Sequence, residues 1–241
     1  MAELSFFTHD TDGERLDAVA VGAPGRATVL LLHGAGNGSK ERLVPLAEEF
    51  ARQGCLALAV DFSGHGESSG TPAELSLRRR FEQAVSVLDA HAPADDPLVL
   101  VGFSMSGQTV ADLAGHYGRR VAALGLCAPA VYAAEAWDLP FGTGDSRFSE
   151  VIRTPDTWRD SPALSALASY EGRAVLVVPG DDTIIPPDVT RAVRDAVSAK
   201  AAYTRLELPG ADHFLGLWYR DHAEDRRELV AALLETPARA K

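Results

Sequence analysis

A chain of 241 residues, 46% hydrophobic and 24% charged, has the makeup of a globular protein with enough apolar mass for a substantial core. Its formal net charge of −11 repels phosphate backbones and anionic headgroups, so nucleic acid and membrane surfaces are not expected as partners. No apolar run approaches the roughly 20 residues of a membrane span, and Met1-Ala2-Glu3-Leu4-Ser5 lacks the basic-then-apolar order of a secretory signal.

In chain order, Leu4 to Thr8 and Leu16 to Val21 read as two strands joined by a turn at Asp12-Gly13, a strong hairpin signal. Thr28 to Leu32 is an apolar β-type run that ends at His33-Gly34-Ala35-Gly36. Leu43 to Gln53 has helical spacing and closes at Gly54, and Leu56 to Val60 is a buried strand stopped by Asp61. Leu75 to His91 reads as a helix on Leu77, Phe81, Val85 and Leu88, and its run Arg78-Arg79-Arg80 as a solvated face of that helix. Leu98 to Val101 is a strand that meets Gly102-Phe103-Ser104, after which helical sequence resumes through Tyr117.

Val121 to Cys127 gives the sixth strand, and Val175 to Val178 and Tyr203 to Leu208 give two more, separated by the helical stretch Val189 to Val197. A last helix covers about Asp221 to Leu234. Strands apolar on both faces and alternating with helices imply an α/β fold: a mostly parallel central sheet covered on both sides. The N-terminal hairpin suits an antiparallel edge. Between Pro129 and Gly172 no strand is expected, and the stretch carries Trp137, Phe141, Phe148 and Trp158. It is too long for a bare connection, so one domain over 1–241 is expected to carry a small lid at about 130–172. Cys55 and Cys127 lie in apolar runs without metal-ligand spacing, which predicts free buried thiols and a cytoplasmic setting.

The chemistry centres on Gly102-Phe103-Ser104-Met105-Ser106-Gly107. A strand that runs directly into a helix forces a strained turn, which exposes the Ser104 hydroxyl at the helix N-terminus, where developing negative charge is stabilised. Serine replaces the usual glycine at position 106. If Ser106 were the nucleophile, Gln108 would occupy a position that needs a small residue, so Ser104 is preferred.

With these residues the chain resembles the α/β-hydrolase family over nearly its whole length. His33-Gly34-Ala35-Gly36 is similar to that family's oxyanion loop, and the resemblance implies oxyanion binding by the backbone amides of Ala35 and Met105. Asp61-Phe62-Ser63-Gly64-His65-Gly66-Glu67-Ser68 resembles the loop after the next strand, although an arginine is frequent where Ser63 stands. Of seven histidines, His213 follows a strand through the turn-rich Pro209-Gly210-Ala211-Asp212, at the sheet end where such folds place their sites. Asp212-His213-Phe214 resembles the family's histidine loop. The resemblance selects Asp182, four before Pro186, as the acid that orients the imidazole. Counted from Gly180 the loop is one residue short, which leaves Asp181 as the alternative.

No metal cluster, phosphate loop or dinucleotide fingerprint stands in the sequence, so neither metal nor cofactor is expected. The expected function is a serine hydrolase that cleaves a small-molecule ester or thioester, most similar to small bacterial esterases of the feruloyl type. An acyltransferase, cyclase, thioesterase or lyase on the same scaffold is the alternative within enzymes. A non-catalytic ligand-binding protein is the alternative outside them.

Overall fold

The computed structural model describes residues 3–11 and 13–235. Asp12 of the expected hairpin turn, and Met1 and Ala2 of the N-terminus, lie outside the described residues. Eight strands form one sheet: β1 (Leu4–Thr11), β2 (Glu14–Val21), β3 (Thr28–Leu32), β4 (Leu56–Val60), β5 (Leu98–Phe103), β6 (Val121–Cys127), β7 (Arg173–Pro179) and β8 (Ala202–Leu208). Their order is β1-β2-β4-β3-β5-β6-β7-β8. β1 and β2 pair antiparallel at one edge, β2 meets β4 antiparallel, and every pairing from β4 through β8 is parallel.

The period of two in the strands sorts their side chains onto two cores. Leu30 and Leu32 of β3, Leu98 and Leu100 of β5 and Leu176 of β7 point to one face. There they meet the helices α2 (Leu77–His91), α3 (Ser106–Tyr117) and α6 (Pro187–Val197). Val29 and Leu31, Val99 and Val101, and Val175 and Val177 point to the other face. That face is covered by α1 (Val44–Arg52), α7 (Leu215–Asp221) and α8 (Ala223–Leu234). Each of these strand residues is essentially removed from solvent, and burying one such side chain is worth about 1.5–3 kcal/mol. Burial on both faces explains why the strands read as continuous apolar runs rather than alternating ones.

The sequence misjudged two helices. Leu215 to Asp221 forms a helix of its own, broken from α8 at His222, whose backbone is extended (φ −113°, ψ 90°). Gly216 weakens the helical signal there, and burial of Leu215 and Tyr219, four residues apart, restores it through packing. In α2 the buried stripe is Leu77, Arg80, Gln83, Ala84, Val87 and Leu88, so the helix is rotated about one position from the face expected on Phe81 and Val85.

The segment after β6 holds α4 (Arg147–Arg153) and α5 (Pro162–Ser169) with short 3-10 turns. It packs on the sides of α2 and α3: Leu77 and Met105 share a cluster with Ala133, Ala136, Phe148 and Val151. Gln108 of α3 ties it down, since its Oε1 accepts from Tyr132 N and Ser161 Oγ, each at 3.1 Å. Cys55 and Cys127 are buried free thiols. Among the described residues no helix is long and apolar enough to cross a membrane.

Candidate active site

Parallel register brings the C-terminal ends of the central strands level. Leu32 pairs with Gly102, Phe103 with Cys127, Cys127 with Val177, and Pro179 with Leu208. His33, Ser104, Asp182 and His213 all stand one to five residues beyond those ends, on one edge of the sheet.

Ser104 sits between β5 and α3 with φ 51°, a conformation that costs a residue with a Cβ about 1–3 kcal/mol. The neighbours hold it there. Ser104 N donates to Cys127 O at 2.9 Å, and Ser104 O accepts from Gly107 N at 2.8 Å and Ala130 N at 2.9 Å. The turn is tight enough that a Cβ on Gly102 would lie 2.3 Å from Ser106 O.

The Ser104 hydroxyl donates to His213 Nε2 at 2.8 Å, and His213 Nδ1 donates to Asp182 Oδ2 at 3.0 Å. The other oxygen, Asp182 Oδ1, accepts from the amides of Ile184 (2.8 Å) and Ile185 (3.0 Å), which fixes the carboxylate plane. The His213 and Asp182 side chains are only 9% and 11% exposed, which keeps water from competing for these bonds. Asp181 is exposed, and among the described residues it contributes only its amide, to Ala211 O. Asp212 accepts from Phe214 N at 2.9 Å and shapes the histidine's own loop. Of the two candidate acids, the geometry therefore joins Asp182 to the imidazole.

Gly34 approaches Ser104 closely: a Cβ there would lie 3.1 Å from Ser104 Cβ. Among the described residues neither the Ala35 nor the Met105 amide has a hydrogen-bond acceptor. His33 is a buried loop pin. Its Nδ1 donates to Gly34 O at 2.6 Å and its Nε2 accepts from Phe62 N at 3.2 Å. Burial first, then the charge of Arg80, hold its pKa well below the ordinary histidine range. The ring is neutral, so the 3.9 Å approach of Asp61 is not an ion pair. His65 is likewise buried, with its ring 4.7 Å from that of His33, and burial and Arg80 lower its pKa too.

Arg80 corrects the reading of Arg78-Arg79-Arg80 as a solvated face. Arg78 is half exposed and pairs with Asp138 and Glu82, but Arg80 is completely buried. Its Nη2 donates to His33 O and to Ser106 Oγ, each at 2.7 Å, and Ser106 Oγ donates to His33 O at 2.6 Å. Its guanidinium lies over the Phe62 ring, 3.8 Å from the centroid. The serine that replaces the usual glycine at position 106 thus ties the His33-Gly34-Ala35-Gly36 loop to the turn at Ser104. The sequence signal for Arg80 was its helical phase, which it shares with Leu77, Ala84 and Val87 and its basic neighbours do not.

A second buried cation, Lys40, donates from Nζ to Asp17 (2.5 Å), Glu41 (2.7 Å) and Asp61 (2.9 Å). These three carboxylates lie close enough to hold a metal ion, but the Lys40 ammonium already stands among them and offsets part of their charge. Burial alone would lower the lysine's pKa; its carboxylate partners raise it above the usual value.

A cavity of about 500 Å³ opens beside Ser104 and His213. Phe103, Leu43, Leu215 and Leu217 give it apolar walls, and Phe214, 54% exposed, stands at its rim. No residue between 130 and 172 lines it. The segment expected as a lid borders a separate cavity of about 310 Å³, lined by Leu77, Gln108, Asp112, Tyr132, Trp137 and Pro162 among others.

A family model described as serine aminopeptidase, S33, a hydrolase family, matches residues 23–152, just over half of the chain. The chain belongs to this family. It is 33% identical over 95 residues to the multifunctional-autoprocessing repeats-in-toxin of Vibrio cholerae serotype O1, covering 39% of this chain and 2% of the toxin. It is 30% identical over 99 residues to the uncharacterized protein YfhR of Salmonella typhi, covering 40% of this chain and 34% of that protein. The matched region is thus a small part of the length of these relatives.

Among solved structures, a thioesterase domain from the curacin biosynthetic pathway superposes with a TM-score of 0.71 at 18% identity, covering 95% of this chain and 99% of that one. Est1E from Butyrivibrio proteoclasticus, with ferulic acid bound, gives 0.70 at 20% identity, covering 93% and 96%. These likenesses establish the α/β-hydrolase fold.

Proposed function

We propose that this hydrolase cleaves a carboxylic ester or thioester through an acyl-enzyme on Ser104, with His213 as general base and Asp182 as the acid that orients it. The observation that carries the reading is the unbroken chain of hydrogen bonds from Ser104 Oγ through His213 to Asp182. It begins at a strained strand-to-helix turn that presents the hydroxyl to a cavity.

In this reading His213 Nε2 takes the Ser104 proton as Oγ attacks the substrate carbonyl. The amides of Ala35 and Met105, free of acceptors, donate to the oxyanion. His213, protonated and stabilised by Asp182, returns the proton to the leaving alcohol or thiol. Water activated by the same nitrogen then attacks the acyl-enzyme and frees the acid.

The cavity walls support an ester or thioester over a peptide N-terminus. None of its lining residues is a carboxylate, so nothing there would pair with an α-ammonium group. Apolar and aromatic sides suit an acyl chain or aryl group. The thioesterase and the ferulate-bound esterase among the structural neighbours guide the choice of thioesters and feruloyl esters for a substrate panel.

A fluorophosphonate probe is expected to label wild type and not Ser104→Ala, whose kcat on a p-nitrophenyl ester should fall on the order of 10⁵-fold. Asp182→Asn should lose about 10⁴-fold, and Asp181→Asn should retain most turnover. Equal labelling of Ser104→Ala and wild type would end the nucleophile assignment. Loss of turnover in Asp181→Asn alone would move the acid role to that residue.

A further inference from the structure

Arg42 stands in the last turn of the short 3-10 helix Lys40–Leu43 and lines the Ser104 cavity. Its base is fixed on two sides. The adjacent Lys40 is locked among three carboxylates, and Gly216 of α7 lies so near that an added Cβ would be 3.7 Å from Arg42 Cβ. Its guanidinium, by contrast, has no hydrogen bond or ion pair with any described residue. Arg78, Arg79, Arg147 and Arg159 all find carboxylates on a chain of net charge −11. The basic side chains of the cavity are His33, Arg42 and His213, and no Asp or Glu lines it.

We propose that Arg42 binds an anionic group of the substrate, a carboxylate or a phosphate, so that the Ser104 site acts on negatively charged esters or thioesters. The proposal deepens the serine-hydrolase reading and rests on it for the reaction, though not for the binding. Five N–H donors in a planar fork suit either anion. The mostly apolar, partly enclosed wall strengthens a charge-assisted bond relative to open solvent. The charge is felt within the site: Arg42 adds to the effects of burial and Arg80 that keep His33 unprotonated. A single cation in a carboxylate-free cavity also selects against cationic substrates, which the acidic surface elsewhere would attract.

The test separates binding from turnover. In Ser104→Ala, calorimetry compares monomethyl glutarate, with a carboxylate on the acyl side, 3-acetoxypropyl phosphate, with a phosphate on the alcohol side, and neutral methyl pentanoate. At least one anion is expected to bind roughly 10-fold tighter than the neutral ester. Ser104→Ala/Arg42→Gln should abolish that preference and Ser104→Ala/Arg42→Lys should keep part of it. The tighter of the two anions identifies the group and the side of the scissile bond it occupies.

With Ser104 intact, the ratio of kcat/KM for mono-p-nitrophenyl glutarate over p-nitrophenyl pentanoate provides a second readout, which should fall in Arg42→Gln if the acyl side is used. Equal binding of all three probes, or a preference that survives Arg42→Gln, overturns the role of Arg42. A chain that ignores the fluorophosphonate probe yet shows the Arg42-dependent preference would lose the catalytic reading and keep this one.

Discussion

Lys40 and Arg80 are both buried cations, the first 1% exposed and the second fully enclosed, yet their surroundings are opposite. Lys40 donates to three carboxylates, which cancel its charge and rivet the 3-10 turn before α1 to the middle of β2 and the end of β4. Among the described residues Arg80 meets no carboxylate. It has a carbonyl, a hydroxyl and a ring face, and its Nε and Nη1 find no partner among the described residues. Burial pushes its pKa down to about 9, still leaving it charged at neutral pH. A neutralised cation serves the fold. An uncompensated one directs its field at its neighbours: burial first, and the charge of Arg80 second, lower the pKa values of His33 and His65. The difference teaches that one site spends a buried charge on stability, and the other keeps it for positioning and electrostatics.

The largest effect expected from breaking this contrast is at Lys40. Lys40→Met strands the buried Asp61 with no cation, and should lower stability by about 3–5 kcal/mol in urea unfolding. A loss below 1 kcal/mol would show that the carboxylates do not depend on the ammonium. Arg80→Met should act the other way round. With an unpaired buried charge removed, its unfolding midpoint should hold or rise. Its kcat on a p-nitrophenyl ester should fall about 10–100-fold with KM little changed, as the loop at His33 loses its anchor. A purely structural Arg80 would instead lower the midpoint and leave kcat per folded molecule intact.

Asp112 is an acidic counterpart of Arg80, a half-buried carboxyl that among the described residues meets the amide of Gln108, at 3.0 Å, and whose pKa desolvation raises to about 7. Its folded-state pKa lies above the ordinary value of 3.8, so the folded chain holds the proton more tightly than the unfolded one. That contribution is fully present only well below pH 3.8 and is lost as pH rises through about 7. Asp112→Asn should therefore gain stability relative to wild type between pH 4 and pH 8, on the order of 2 kcal/mol. A pH-independent difference between the two proteins would refute the shift. The smallest effect belongs to Ser106→Gly. Losing the bonds from Ser106 Oγ to His33 O and from Arg80 to Ser106 Oγ should cost about 1–2 kcal/mol, read as a several-fold drop in kcat, while Arg80 still holds that carbonyl.

The sequence determined more of this protein than its low identity to solved relatives suggests. Short apolar runs located β3, β4 and β6 to the residue and β5 to within two residues of its end, because burial on both faces leaves little choice of side chain. Ser104, His213 and Asp182 were legible because each lies in a turn whose small or rigid residues are demanded locally. Arg80, Arg42 and the packing of 130–172 against α2 and α3 were settled only by tertiary structure. Whether a side chain is buried depends on the rotation of its helix against a neighbour, and whether a charge is paired depends on residues distant in sequence. Local spacing records what each segment prefers; the choice between a solvated arginine and an enclosed one is made where segments meet.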